Sequence, residues 1–66
     1  MVYRDIVKVL KKAGWKEVAV KGSHHQFKDS TGKTAGKATV PNHGNKDISL
    51  KTLESIERQT GLSLRR

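Results

Sequence analysis

The absence of cysteine from a chain of 66 residues is the feature that most limits how this sequence can fold. Neither disulfides nor a thiolate-bound metal can hold such a domain together. It must therefore rely on a compact core of helix and sheet, or on a partner. We expect a single domain over residues 1–66, too small to enclose a large substrate cavity, because a domain this short buries only about 60% of its unfolded surface.

Two segments have the spacing of amphipathic helices, over residues 2–13 and 50–60. In the first, apolar side chains recur at i, i+3, i+4 and i+7, which defines one helix face: Ile6, Val9, Leu10 and Ala13. Gly14 follows as a stop signal. Ser49 and Gly61 flank the second segment as an N-cap and a C-terminal stop.

Between these helices, three short segments predict strands over residues 15–21, 24–28 and 37–40. The first shows Val18 and Val20 alternating with more polar residues. Gly22-Ser23 predicts a tight turn, and Pro41 ends the third strand because it cannot donate to a ladder. The fold class is therefore α+β, with order α-β-β-β-α and a three-stranded antiparallel sheet that carries two helices on one face.

The second strand divides its side chains between the two sheet faces. His25 and Phe27 share one face, and His24, Gln26 and Lys28 share the other. Because both helices are expected to cover the face with Phe27, the face with His24 stays open to solvent.

His24 is the candidate catalytic residue, since imidazole exchanges protons near neutral pH. RNA supplies matching chemistry, because its 2′-hydroxyl attacks the adjacent phosphate once it loses a proton. We expect neither a metal nor another cofactor to be needed. Lys21 and Lys28 beside His24 would stabilise the phosphate charge, and Gly22 would allow close approach of the nucleic-acid backbone. Alternatively, His24 is an ordinary solvated side chain.

The other two histidines have weaker claims to a role. His25 shares the face of Phe27, so we expect it to be packed there or held in one tautomer. His43 either supplies a second acid or base, or binds phosphate, or simply decorates the loop after Pro41. No metal site is expected, because His24 and His25 point to opposite faces and no H-x-x-x-H spacing occurs.

The charge balance favours a polyanionic partner. Lys and Arg number 14 against 6 Asp and Glu, which gives a net charge of +8. For RNA, we expect Lys21, Lys28 and Lys37 to hold phosphates. The alternatives are an acidic protein partner or a basic surface that only maintains solubility. The chain has no apolar run of membrane-spanning length and no signal-peptide pattern, so we expect a cytoplasmic protein without a membrane partner.

Several stretches spread over nearly the whole chain form a specific set: Gly14-Trp15, Gly22-Ser23-His24-His25-Gln26-Phe27, Thr39-Val40-Pro41-Asn42-His43, Leu53-Glu54-Ser55-Ile56 and Gln59-Thr60-Gly61-Leu62. This set closely resembles the HicA family of toxins. The resemblance implies a fold similar to a double-stranded RNA-binding domain. It also implies an mRNA interferase of a type II toxin–antitoxin system, which cleaves mRNA and halts translation.

The resemblance also bears on residue roles and partners. The family's catalytic histidine matches His24, the motif glycine matches Gly22, and Ser23 lies between them. His25 occupies a more variable family position, and His43 matches a recurrent one. The implied partners are mRNA and an acidic HicB-like antitoxin that covers the active site. The alternative with the same fold and charge is a non-catalytic double-stranded RNA-binding module.

Overall fold

The computed structural model describes residues 1–64 and has the predicted order of elements. In chain order these are α1 (Tyr3–Lys12), β1 (Trp15–Lys21), β2 (His24–Asp29), β3 (Lys37–Pro41) and α2 (Leu50–Thr60). The predicted boundaries differ from these by no more than one residue at each end. Pro41 belongs to β3 as its last residue, a strand-end position where the missing N–H is tolerated.

The three strands form one antiparallel sheet in the order β1-β2-β3, as predicted. α1 packs on β1 and β3, and α2 packs on β3. The core lies between the helices and one sheet face, where Phe27, Ala38 and Val40 are fully buried against Ile6 and Ile56. The opposite sheet face carries His24 and remains uncovered, so the prediction of two helices on one face is confirmed.

A β-bulge at Val18 interrupts the pairing of β1 with β2. Glu17 pairs with Phe27, and Ala19 pairs with the next residue of β2, so Val18 is the extra residue. The sequence predicts uninterrupted alternation along this strand, and that expectation is wrong. Val18 and Val20 are 50% and 51% exposed, and Trp15 is the one buried side chain of β1.

The ends of α2 are fixed as the sequence predicts. The Ser49 hydroxyl accepts a hydrogen bond from the Thr52 N–H at 3.3 Å, which satisfies one donor of the first turn. Gly61 follows with a left-handed φ of +74°, the conformation that glycine adopts most easily at a helix end. Within residues 1–64, neither helix is long and apolar enough to cross a bilayer.

Asp29 organises the long turn between β2 and β3. Its side chain accepts hydrogen bonds from the Thr31 hydroxyl at 2.6 Å, the Thr31 N–H at 2.9 Å and the Thr34 N–H at 3.0 Å. The hydrogen bonds from Thr31, its hydroxyl first, hold the pKa of the Asp29 carboxyl below its usual value. The Asp29 carboxylate therefore accepts hydrogen bonds from backbone N–H groups of the turn, where the chain has left the sheet.

Candidate functional site

The β1–β2 hairpin presents His24 at one end of the uncovered sheet face. Lys21 and His24 pair directly, so Gly22 and Ser23 form a two-residue turn. Gly22 has a φ of +57° and Ser23 has no positive φ, a combination typical of a type II′ turn. A Cβ atom built on Gly22 would meet nothing within 4 Å, so the space above this turn is open.

His24 is exposed and stands in a row of three residues that cross the sheet. Lys21 on β1 and Pro41 on β3 are its direct partners. Side chains of paired residues lie on the same face, so the Lys21 side chain starts beside that of His24. The His24 side chain is exposed to solvent, and Pro41 is half-buried.

The loop after β3 brings His43 to the same end of the sheet. The Asn42 N–H donates to the Ser23 carbonyl oxygen at 2.7 Å, which fastens this loop to the hairpin turn. The Asn42 side chain in turn accepts from the Gly44 N–H at 3.0 Å. His43, an exposed residue, lies between these two anchored positions. Two imidazoles thus occupy one corner of the molecule, although they are far apart in sequence.

His25 lies on the opposite, inner face, as the alternation of β2 predicts. Its Nδ1 is 2.6 Å from Glu17 Oε1, and its ring stands 5.0 Å from the Tyr3 ring, centroid to centroid. The Tyr3 hydroxyl donates to the same Glu17 oxygen at 3.4 Å. A carboxylate accepts hydrogen bonds, so Nδ1 of His25 is the donor in this contact. This arrangement ties α1, β1 and β2 together beneath the hairpin.

The Tyr3 side chain lies beside Glu17 and His25. Burial raises the pKa of its hydroxyl above the usual value, and the negative charge of Glu17 adds to this effect. The phenol therefore stays protonated as a donor to Glu17. The cluster of Tyr3, Glu17 and His25 lies on the inner face of the sheet, and His24 lies on the open face. The cluster therefore affects His24 only by holding the strands in position.

The lysines predicted to hold phosphate fall into two places on the open face. Lys21 lies beside His24, as expected. Lys28 does not, because it lies four residues further along β2, about 13 Å away at the rise of an extended strand. It pairs with Lys37 on β3 and with Lys16 on β1. The expectation that Lys28 neighbours His24 is therefore wrong.

Lys16 also belongs to this surface, on the face opposite to the one that the sequence predicts for it. Simple alternation would place Lys16 on the face opposite to Lys21. The bulge at Val18 reverses this, so that Lys16, Ala19 and Lys21 share the open face while Glu17 turns inward to His25. Nothing in the local sequence marks the bulge, since no glycine occurs there.

Among residues 1–64, no three side chains of His, Cys, Asp or Glu come together in a way that would hold a metal ion. A groove of about 400 Å³ beside β1 is lined by Lys11, Trp15, Lys16 and their neighbours, away from the His24 corner. Trp15 itself is only 2% exposed, so it packs in the core, and little of its ring is open to a stacking base.

Comparison with known families gives a match that spans most of the chain. The family model described as the HicA toxin of bacterial toxin–antitoxin matches residues 3–62, which include both helices and all three strands. No curated protein sequence matches the chain. The matched segment includes the His24 hairpin, the His43 loop and the lysines of the open face.

Proposed function

The chain belongs to the HicA toxin family of bacterial toxin–antitoxin systems, and we propose that it arrests growth as an endoribonuclease that cleaves mRNA. The observation that carries this proposal is the position of His24. It is an exposed imidazole on an uncovered sheet face, next to a lysine and to a glycine turn with open space above it. An extended polymer such as RNA fits this exposed site, which has no need of an enclosed cavity.

The proposed reaction uses the nucleophile that RNA carries. A base removes the proton of the 2′-hydroxyl, and the resulting oxygen attacks the adjacent phosphorus. The bond from phosphorus to the 5′-oxygen breaks, and an acid protonates that leaving oxygen. The products are a 2′,3′-cyclic phosphate and a 5′-hydroxyl. His24 acts as this base or as this acid, and no metal ion or other cofactor is required by the chemistry.

In this proposal, His43 carries out the complementary proton transfer. The Asn42–Ser23 hydrogen bond holds its loop against the hairpin that carries His24. A second group at this corner would let one residue take a proton while the other gives one. A lysine or a water molecule remains the alternative for that role.

The residues around His24 bind and position the substrate in this proposal. Lys21 stabilises the charge that develops on the scissile phosphate. Lys28 and Lys37 bind other phosphates of the RNA strand. Gly22 lets the RNA backbone approach the hairpin. His25 is a positioning residue, because its contact with Glu17 fixes the strand from below.

A toxin of this family has a cognate antitoxin, and we propose that this partner is an acidic HicB-like protein. Its negative surface would complement the net charge of +8 and cover the open face around His24. Both toxin and antitoxin would act where mRNA is translated, in the cytoplasm.

Replacement of His24 tests the proposal. We expect His24→Ala to slow RNA cleavage by roughly 10²–10⁴-fold, the usual contribution of a general acid or base, and to abolish growth arrest at equal expression. Lys8→Ala on the exposed side of α1 serves as the control and should cleave like the parent. Cleavage should persist in EDTA and should stop when all substrate riboses are 2′-deoxy.

Three outcomes would count against this function. Equal cleavage of the deoxy substrate would exclude attack by the 2′-hydroxyl. Undiminished growth arrest by His24→Ala would remove His24 from the mechanism. Binding of double-stranded RNA without any product would favour a non-catalytic RNA-binding module.

A further inference from the structure

Three lysines form a straight row across the open sheet face. Lys28 on the central strand pairs directly with Lys16 on β1 and with Lys37 on β3. Neighbouring strands lie about 4.8 Å apart, so the three side chains start close together on one face. All three residues are exposed. We call this set the lysine row.

Like charges placed directly opposite each other on neighbouring strands destabilise a sheet. The other positions that share the open face with the lysine row provide no carboxylate: they are Ala19, Lys21, His24, Gln26, Thr39 and Pro41. Repulsion within the row is therefore not relieved by an acidic neighbour on its own face. An anion from outside would relieve it.

The bulge at Val18 creates this surface. With regular alternation, the carboxylate of Glu17 would share a face with Lys21, and Lys16 would lie on the other face. The bulge removes one negative charge from the open face and adds one positive charge to it. A local irregularity of the strand thus produces a face on which every charged strand residue is a lysine, and such features commonly redirect side chains at functional sites.

We propose that the lysine row is a phosphate-binding subsite for the RNA backbone, separate from the position where the strand is cut. The inference rests on the proposed function for its choice of RNA. The row lies about 13 Å from His24 along β2, and side chains stand roughly perpendicular to a sheet, so the two places bind different phosphates. Between the lysine row and His24 lie Ala19, Gln26 and Thr39, which pair across the sheet. These three residues are uncharged and leave a path for the RNA strand.

RNA fits this surface better than an acidic protein does, for a geometric reason. A strand whose scissile phosphate lies at His24 carries further phosphates at regular intervals on either side. If it continues along β2, it reaches the lysine row on the same uncovered face. The row would then contribute affinity and orientation, and it would leave the proton transfers at His24 unchanged.

A binding experiment tests the subsite directly. The probe is a fluorescently labelled single-stranded RNA, and the protein carries His24→Ala so that the probe is not cut. Anisotropy titrations over a range of salt concentrations compare Lys16→Gln, Lys28→Gln and Lys37→Gln with Lys51→Gln, an exposed lysine of α2. Each lost phosphate contact should weaken binding and reduce the slope of log K against log salt by about 0.7. The control should leave the slope unchanged.

A cleavage experiment with His24 present separates the subsite from the cut site. We expect the three lysine-row variants to raise KM and to keep kcat, because they remove contacts made equally in the bound and transition states. Lys21→Gln should instead lower kcat. A fall in kcat with constant KM for the lysine-row variants would overturn the proposal, since it would place the row at the reacting phosphate.

The two experiments distinguish failure of the subsite from failure of the nuclease proposal. If the parent binds RNA through the row but never cleaves it, the subsite stands and the enzymatic function falls. If cleavage proceeds and all three variants keep the parent's KM and salt slope, the subsite falls and the nuclease stands. Unchanged RNA binding, together with lost affinity for an acidic partner protein, would assign the row to the antitoxin and refute our inference.

Discussion

Replacement of Gly14 should lower the free energy of unfolding, for a reason that the structure shows in detail. It connects α1 to β1 with a φ of +92°, and a Cβ atom at this position would lie 2.6 Å from Thr31 Cγ2. The Gly14 carbonyl accepts a hydrogen bond from the Ser30 N–H at 2.8 Å, which holds the backbone in place. The Thr31 hydroxyl is bound to Asp29 at 2.6 Å, so the methyl group cannot rotate away without breaking that bond.

Gly36 provides a matched control for Gly14→Ala. Its φ of +86° is nearly the same, but a Cβ there would meet nothing within 4 Å. Gly36→Ala should cost about 1 kcal/mol, because strain of roughly 1–2 kcal/mol at a positive φ is partly offset by the reduced entropy of the unfolded chain. Gly14→Ala adds the overpacking term of about 1–3 kcal/mol. Its total cost should therefore be about 3 kcal/mol.

Thermal and urea denaturation would measure these costs. A loss of about 3 kcal/mol corresponds to a fall in Tm of roughly 12–24 °C for a domain of this size. Thr31→Ser removes the methyl group and keeps the hydroxyl, so in this background Gly14→Ala should cost no more than Gly36→Ala. The double-mutant cycle isolates the steric contact. Equal costs for the two alanine variants in the parent background would refute the reasoning.

Two further predictions concern charged groups of the sheet. Lys28→Gln removes repulsion from the lysines on both sides and should raise the free energy of unfolding by about 0.4–1 kcal/mol in low salt. Urea melts should show this gain shrinking as salt is added, because salt screens the repulsion. A lower free energy of unfolding would contradict the like-charge argument. The lowered folded-state pKa of Asp29 means that its stabilising contribution is complete above the unfolded value of 3.8 and is lost as the pH falls below it. Asp29→Asn should therefore flatten the acid limb of a stability–pH profile, and an unchanged limb would assign acid unfolding to other carboxyls.

The order of elements was predictable because its signals are local. Apolar spacing placed Ile6 and Leu10 on the buried face of α1, and both are fully buried in the structure. Alternation along β2 placed Phe27 in the core and His24 on the open face. Glycine and serine marked the ends of α2. Each of these inferences needs only the residues within one or two turns of helix or a single strand.

The composition of the site was predictable only in part because it depends on pairing between strands. The bulge at Val18 arises from the register of β1 against β2, so alternation within β1 alone misassigned Lys16 and Glu17. The bond between Asn42 and Ser23 likewise joins residues far apart in sequence. Residue types identified His24 as a candidate, but only the register shows which lysines stand beside it.

The two faces of β2 place a packed histidine and an exposed histidine at neighbouring positions. Glu17 holds His25 on the inner face of the sheet. His24 is the preceding residue and points to the open face, so the contact of His25 with Glu17 also holds the backbone of His24 in place. β1 depends on this contact and on its ladder with β2, because Trp15 is its one buried side chain. RNA that spans Lys21 on β1 and Lys37 on β3 would bind only the fully paired sheet. If RNA binds as proposed, it should therefore stabilise the pairing of β1 with β2, since a ligand that binds only the folded arrangement shifts the equilibrium toward it.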